Sequence, residues 1–248
     1  MTRQFNVEEV FGEDFLYFSE ARNDPEENNA EVALLREMLS LKLGSRLLDV
    51  PCGYGRLARL FAEQGVHVTG LDVSPLLLNR ARVDAVPGVK LDYKLADMAE
   101  LEVRDFDAIL CWWSSFGYHD DETEKDVLNR FRRALRPGGK MLLEVGSLSW
   151  YSNLFFHNPN GHTTVTRVGP DMMIEERRPS SDGSRLEASR TVIRDGLVRL
   201  SSYSCRLFTP SELRDWILRA GFSNVTMHRY NGQPFAWDSK SLVAIATA

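Results

Sequence analysis

SRLLDVPCGYGRLA, residues Ser45 to Ala58, decides how this chain folds. Leu47, Leu48 and Val50 make a short apolar run suited to a strand buried on both faces, and Pro51 to Gly55 break it with small turn-forming residues. Leu57, Ala58, Leu60, Phe61 and Ala62 then recur at helical spacing. The pattern predicts strand, tight turn and helix, with the unpaired N–H groups of the first helical turn facing whatever binds at the turn. Gly53 and Gly55 lack a Cβ, so a ligand can approach the backbone closely at both. A nucleotide-type ligand suits such a turn.

Two cofactor classes use this unit. Gly53, Gly55 and Ala58 satisfy a loose dinucleotide fingerprint, and Asp72 lies 19 positions beyond Gly53, where an acid that binds ribose is expected. A nicotinamide oxidoreductase fits that spacing. Asp49 argues against it. A carboxylate at the strand end repels a pyrophosphate but attracts the sulfonium and α-ammonium of S-adenosylmethionine.

The chain has 248 residues, 43% of them hydrophobic and 26% charged, enough for one large α/β domain with a small insertion. A net charge of −5 with no basic stripe disfavours nucleic acid. Cys52, Cys111 and Cys205 form no C-x-x-C pair, so neither a zinc site nor a disulfide framework is expected, and a reducing compartment fits. No secretory leader and no membrane-length apolar run is read in the sequence, so the expected location is the cytoplasm.

Along the chain, Val7 to Phe18 is rich in aromatics, Ala21 to Asn29 reads as a polar linker, and Glu31 to Leu43 as an amphipathic helix. The second strand covers Val66 to Leu71, with Asp72 at its end, and Ser74 and Pro75 open the next helix. The third strand covers Val89 to Lys94. Asp97 and Met98 follow it, a segment that reads equally well as a capped turn. Phe106 to Trp113 is the fourth strand, with Trp112, Trp113, Ser114, Ser115, Phe116, Gly117, Tyr118 and His119 at its exit. Ligands of open parallel sheets lie outside the carboxyl ends of the strands, so this cluster should line a reaction chamber. Alternation across the strand puts one of the two tryptophans in the core. Asp121 to Leu135 is a helix, Arg136 to Gly139 a turn and Lys140 to Val145 the fifth strand. His162–Val168, Met172–Arg178, Leu186–Arg194 and Leu197–Phe208 have β character, and Asp195-Gly196 is the strongest hairpin signal. A helix from Pro210 to Ala220 and a last antiparallel pair, Ser223 to His228 and Ser239 to Thr247, complete the reading.

Five segments resemble the motifs of class I S-adenosylmethionine-dependent methyltransferases, in order: LLDVPCGYGRLA, VTGLDVS (68–74), LADM (95–98), FDAILCWWSSFGYH (106–119) and LRPGGKMLLEV (135–145). The resemblance implies a seven-stranded Rossmann-like sheet of order 3-2-1-4-5-7-6 with the last strand antiparallel. Residues 1–44 would form a helical lid, 45–150 the cofactor core, 151–208 an antiparallel β insertion and 209–248 the completion of the core. Asp49, Pro51, Cys52, Gly53 and Gly55 would hold the methionine end of the cofactor. Asp72 would take the ribose hydroxyls with Val73 against the adenine, and Asp97 with Met98 would hold the adenine edge. Trp112 would line the donor, and Arg22 would pair with the cofactor carboxylate. Tyr17, Phe116 and His119 are the candidates for acceptor contact, with either His119 or Tyr17 as the base. The product would be S-adenosylhomocysteine, and no metal is called for.

The aromatic N-terminus, SSFGYH and RLFTPSELRDW are most similar to bacterial enzymes that N-methylate amino sugars and lincosamides in antibiotic biosynthesis. The expected acceptor is therefore an amine of a small molecule, with no nucleic acid or membrane partner and with the insertion available for homo-oligomer contacts. A small-molecule O-methyltransferase and a non-catalytic S-adenosylmethionine-binding regulator are the alternatives.

Overall fold

The computed structural model describes residues 6–248, so residues 1–5 of the expected lid lie outside the described residues. Strand β1 (Arg46–Asp49) is central, flanked in parallel by β2 (His67–Asp72) and β4 (Phe106–Cys111), with β3 (Leu91–Leu95) outside β2 and β5 (Leu135–Ser147) outside β4. The last strand, β11 (Ser241–Thr247), runs antiparallel along β5 and carries β10 (Ser223–His228) on its far edge. This is the expected 3-2-1-4-5-7-6 sheet.

Adjacent residues of β1 serve opposite faces, as the pleat requires. Leu47 packs with α3 (Pro25–Leu39), α4 (Arg56–Glu63) and α5 (Pro75–Val83). Leu48 packs with α6 (Asp121–Ala134) and α8 (Pro210–Arg219).

Four of the boundaries that differ from the sequence reading have a clear local cause. The expected linker over 21–29 contains the start of α3: the Asp24 carboxylate accepts from the Glu26 and Glu27 N–H groups at 2.8 and 3.2 Å, and Pro25 occupies the first helical position. Helix α3 ends at Leu39, because Ser40 is left-handed (φ 56°). Strand β4 stops at Cys111, because Trp113 and Ser114 are both left-handed and turn the chain aside. Strand β5 begins at Leu135 and loops Arg136 to Gly139 out of its ladder with β4, where Phe106 faces Leu135 and Ala108 faces Lys140.

After β5 comes α7 (Leu148–His157), which the sequence reading did not anticipate, and then four antiparallel strands: β6 (His162–Val168), β7 (Asp171–Pro179), β8 (Arg185–Arg194) and β9 (Leu197–Phe208). Asp195 (φ 54°) and Gly196 (φ 72°) make the β8–β9 hairpin turn. Beyond the end of β4, the tip of β9 takes over the free edge of β5, pairing Leu207 with Gly146 and Phe208 with Ser147. The insertion therefore grows out of the strand tips. Its inner face receives the N-terminal helices α1 (Val7–Val10) and α2 (Glu13–Glu20): Phe18 is fully buried against Met173 and Val192. No helix among the described residues is long and apolar enough to cross a membrane.

Candidate active site at the strand tips

The turn after β1 is held by backbone bonds and one carboxylate. Cys52 N–H donates to Leu71 O (2.8 Å), Gly53 N–H to Asp72 Oδ2 (2.8 Å) and Ser74 N–H to Asp72 Oδ1 (2.9 Å). Asp72 thus fixes the glycine turn and the start of α5 together, and it is 5% exposed.

The two glycines do different things. Gly53 (φ 57°) has open space where a Cβ would stand, as close ligand approach requires. Gly55 (φ 77°) does not: a Cβ there would strike Tyr93 Oη and come within 2.9 Å of Ala81 Cβ. The expectation that Gly55 receives a ligand is corrected to a packing role between α4, α5 and β3. Gly55→Ala should lower unfolding free energy by about 3 kcal/mol, overpacking added to left-handed strain, and Gly53→Ala by only about 1 kcal/mol through its left-handed backbone, as read by urea denaturation. The Cys52 side chain also turns inward, into the apolar cluster with Tyr93, and burial beside Asp49 and Asp72 pushes its thiol up, so its contact with a ligand is restricted to backbone. Pro51 and Val73 remain partly exposed on the turn and beyond β2.

Asp49, at the tip of β1, is 3% exposed. Burial pushes its carboxyl up to about 8, opposed by Arg56 and reinforced by Asp72 and Glu31. A cation brought beside such a group would favour its ionised form.

Glu31, on α3, is the hub of the rim. It accepts from Trp112 Nε1 (2.7 Å), Trp113 Nε1 (3.1 Å), Tyr230 Oη and Arg56 Nη1 (2.5 Å). Burial raises its carboxyl, but the Tyr230 and Trp112 bonds and the Arg56 charge outweigh this and hold it below the usual range. Trp112 stacks on Tyr230 with centroids 4.8 Å apart, and the Arg56 guanidinium lies 4.9 Å over the exposed Trp113 ring. Glu144 of β5, 4% exposed, accepts from Ser114 N–H (2.6 Å) and Ser114 Oγ (3.2 Å), and burial raises its carboxyl. Sequence reasoning missed Glu31, Arg56, Glu144 and Tyr230. Only Arg56, next to the glycine turn, left a local signal.

The remaining candidates are dispersed. Asp97 caps a short 3-10 turn, its Oδ1 accepting from Ala99 N–H at 3.0 Å, and Met98 is buried in the core. His119 is 5% exposed: its Nδ1 lies 3.1 Å from Glu124 Oε1, while Nε2 is buried 3.8 Å from Asp97 Oδ1 with no hydrogen-bond partner. A base open to an acceptor is not what this geometry offers, and His119 is corrected to a group held between Glu124 and Asp97. Phe116 is fully buried against Phe208, so its expected acceptor contact is likewise corrected to core packing. Tyr17 donates to Asp171 Oδ2 (2.8 Å) beneath the Arg194 guanidinium, which ties α2 to the insertion. Arg22 is exposed and donates to Phe18 O (3.2 Å); the guanidinium that acts on Asp49 is that of Arg56.

Residues 47–139 match the family described as methyltransferase domain. The ubiquinone biosynthesis O-methyltransferase of Xylella fastidiosa (strain 9a5c) is 33% identical over 106 residues, 41% of this chain and 42% of that protein. The chain thus aligns with less than half the length of the curated relatives it matches. Solved structures match nearly throughout. The CcbJ methyltransferase from Streptomyces caelestis superposes with a TM-score of 0.76 at 19% identity, over 92% of each chain. CalS10, an amino pentose methyltransferase from Micromonospora echinaspora involved in calicheamicin biosynthesis and solved with S-adenosylmethionine bound, gives 0.67 at 21%, over 95% of this chain and 96% of that one. At these identities the likeness is one of fold.

Proposed function

Because residues 47–139 belong to the methyltransferase domain family and the whole chain has the class I methyltransferase fold, we propose that this protein moves the methyl group of S-adenosylmethionine to an amine nitrogen of a small molecule. The observation that carries the reading is the β1 tip, where Gly53 presents open backbone between two buried carboxylates, Asp49 and Asp72. That pair fits a cationic, ribose-bearing ligand, whose positive charge favours the ionised form of Asp49.

When bound, S-adenosylmethionine supplies an electrophilic sulfonium methyl, so the protein's task is alignment and exclusion of water. Asp72 orients the turn and would accept the ribose hydroxyls. Asp49 would face the ammonium, and Asp97 would accept at the adenine edge. Trp112, Trp113 and Tyr230 offer aromatic faces to positive charge, and the nearby Glu31 and Glu144 carboxylates favour an amine held among them.

Asp49 gives the reading a thermodynamic signature. With its carboxyl raised to about 8, it is largely protonated at neutral pH, and a cation placed against it favours the carboxylate. Binding therefore releases a proton, and affinity rises with pH until about 8 and levels off above. Calorimetry of S-adenosylmethionine binding at neutral pH, in buffers of different ionisation enthalpy, should show this release, and Asp49→Asn should abolish it.

An O-methyltransferase remains the second reading, favoured by the name of the curated relatives over the cofactor domain. A screen with methyl-labelled S-adenosylmethionine against amine and hydroxyl metabolites separates the two. Transfer to hydroxyls alone would exclude the amine assignment, and binding without transfer to any acceptor would favour a regulator.

A further inference from the structure

The inner face of the insertion sheet is covered at both ends and charged between them. At one end α7 lays Tyr151 and Phe155 on Leu186 and Leu207; at the other, Phe18 of α2 sits on Met173 and Val192. Between these plugs the register brings Glu175 opposite Arg190, and Ala188 opposite both Arg177 and Tyr203, so all of them share this face. Tyr118, from the loop leaving β4, packs on Tyr203 with centroids 5.8 Å apart. The strip therefore borders the same loop that carries Trp112 to His119.

Its charges do not balance. Arg177 Nη2 pairs with Glu175 Oε2, and Arg190 Nη2 lies 3.0 Å from Glu175 Oε1, so two guanidiniums share one carboxylate. Among the described residues neither has a second carboxylate within ion-pair distance. Tyr203 Oη also donates to Glu175, at 2.8 Å. Arg190 is 7% exposed; its Nη1 donates to Val10 O (2.6 Å), but its Nε–H has no hydrogen-bond partner. Burying a guanidinium with one donor unpaired is costly unless a further acceptor arrives. Arg177 provides the approach, with 21% of its side chain exposed.

We propose that this strip is an oxyanion subsite, in which Arg177 and Arg190 take a carboxylate or phosphate group of the acceptor. The planar, forked donors of arginine suit either group. The inference rests on the methyltransferase reading and narrows it: the acceptor carries a negative group as well as the amine.

The test is calorimetric titration of the full chain with inorganic phosphate and, separately, succinate at matched ionic strength, with S-adenosylhomocysteine titrated in parallel. Saturable binding of one anion is expected, and which one tells phosphate from carboxylate. Arg177→Gln should weaken that binding about tenfold or more, and Arg177→Lys less, with S-adenosylhomocysteine affinity unchanged. The proposal is overturned if neither anion binds the unaltered chain, or if Arg177→Gln binds the anion as tightly. Arg177-dependent anion binding with no S-adenosylhomocysteine binding would support the subsite and overturn the methyltransferase reading instead.

Discussion

Asp72→Ala should weaken S-adenosylmethionine binding by about 3 kcal/mol, roughly 150-fold, in calorimetry. Two losses combine. The carboxylate proposed to accept the ribose hydroxyls disappears, and so does the anchor that holds the Gly53 and Ser74 N–H groups at 2.8 and 2.9 Å. The turn then samples conformations that no longer present the open side of Gly53. Asp72→Asn separates the losses, since the amide oxygen still accepts one N–H while the other position now donates. It should bind more tightly than Asp72→Ala but remain impaired. Wild-type affinity in a folded Asp72→Ala chain would remove the ribose role.

Glu124→Ala should cost about 3 kcal/mol of folding stability. The Glu124 side chain is fully buried, and its Oε1 accepts from Gly117 N–H (2.9 Å), His119 N–H (2.9 Å) and the His119 ring (3.1 Å). Truncation strands all three groups and leaves a cavity beneath the β4–α6 loop. Glu124→Gln should cost far less, because its carbonyl oxygen keeps the two backbone bonds and Oε2 has no hydrogen bond to lose. Urea denaturation of both variants decides the point: equal losses would show that an amide oxygen cannot replace the carboxylate at these N–H groups and that the cavity adds little. The result also bears on His119, whose position depends on this carboxylate.

The fold was legible because its decisive signals are local. The glycine turn, the Ser74-Pro75 cap and the Asp195-Gly196 hairpin each lie within a few residues, where backbone geometry follows from residue type. The placement of Asp49, Gly53 and Asp72 around the β1 turn was legible for the same reason. The start of α3 carried an equally local signal, Asp24-Pro25 followed by two glutamates, but the polar composition of 21–29 masked it. Helix α7 was not legible: LSWYSNLFFH is apolar around most of its circumference, which leaves little periodicity to read.

The rim was hidden for another reason. Glu31 meets Trp112 across 81 residues and Tyr230 across 199, contacts that only the finished sheet creates. Phe116 and His119 were misread because the left-handed pair Trp113 and Ser114 breaks the alternation expected beyond β4 and sends their side chains inward. Gly55 shows the same limit on a smaller scale, since a glycine needed by a neighbour's ring looks identical in sequence to one needed by a ligand.

The shared tip of β5 makes the molecule divisible. The added leaf departs after Ser147 and rejoins the same strand at Gly146 and Ser147 through Leu207 and Phe208, so its entry and exit lie side by side. Exchanging everything between those points for the corresponding piece of a relative would leave the pairing of the seven core strands untouched. Under the proposed function, a chimaera cut there would exchange the Arg177 and Arg190 strip while keeping the Asp49 to Asp72 turn.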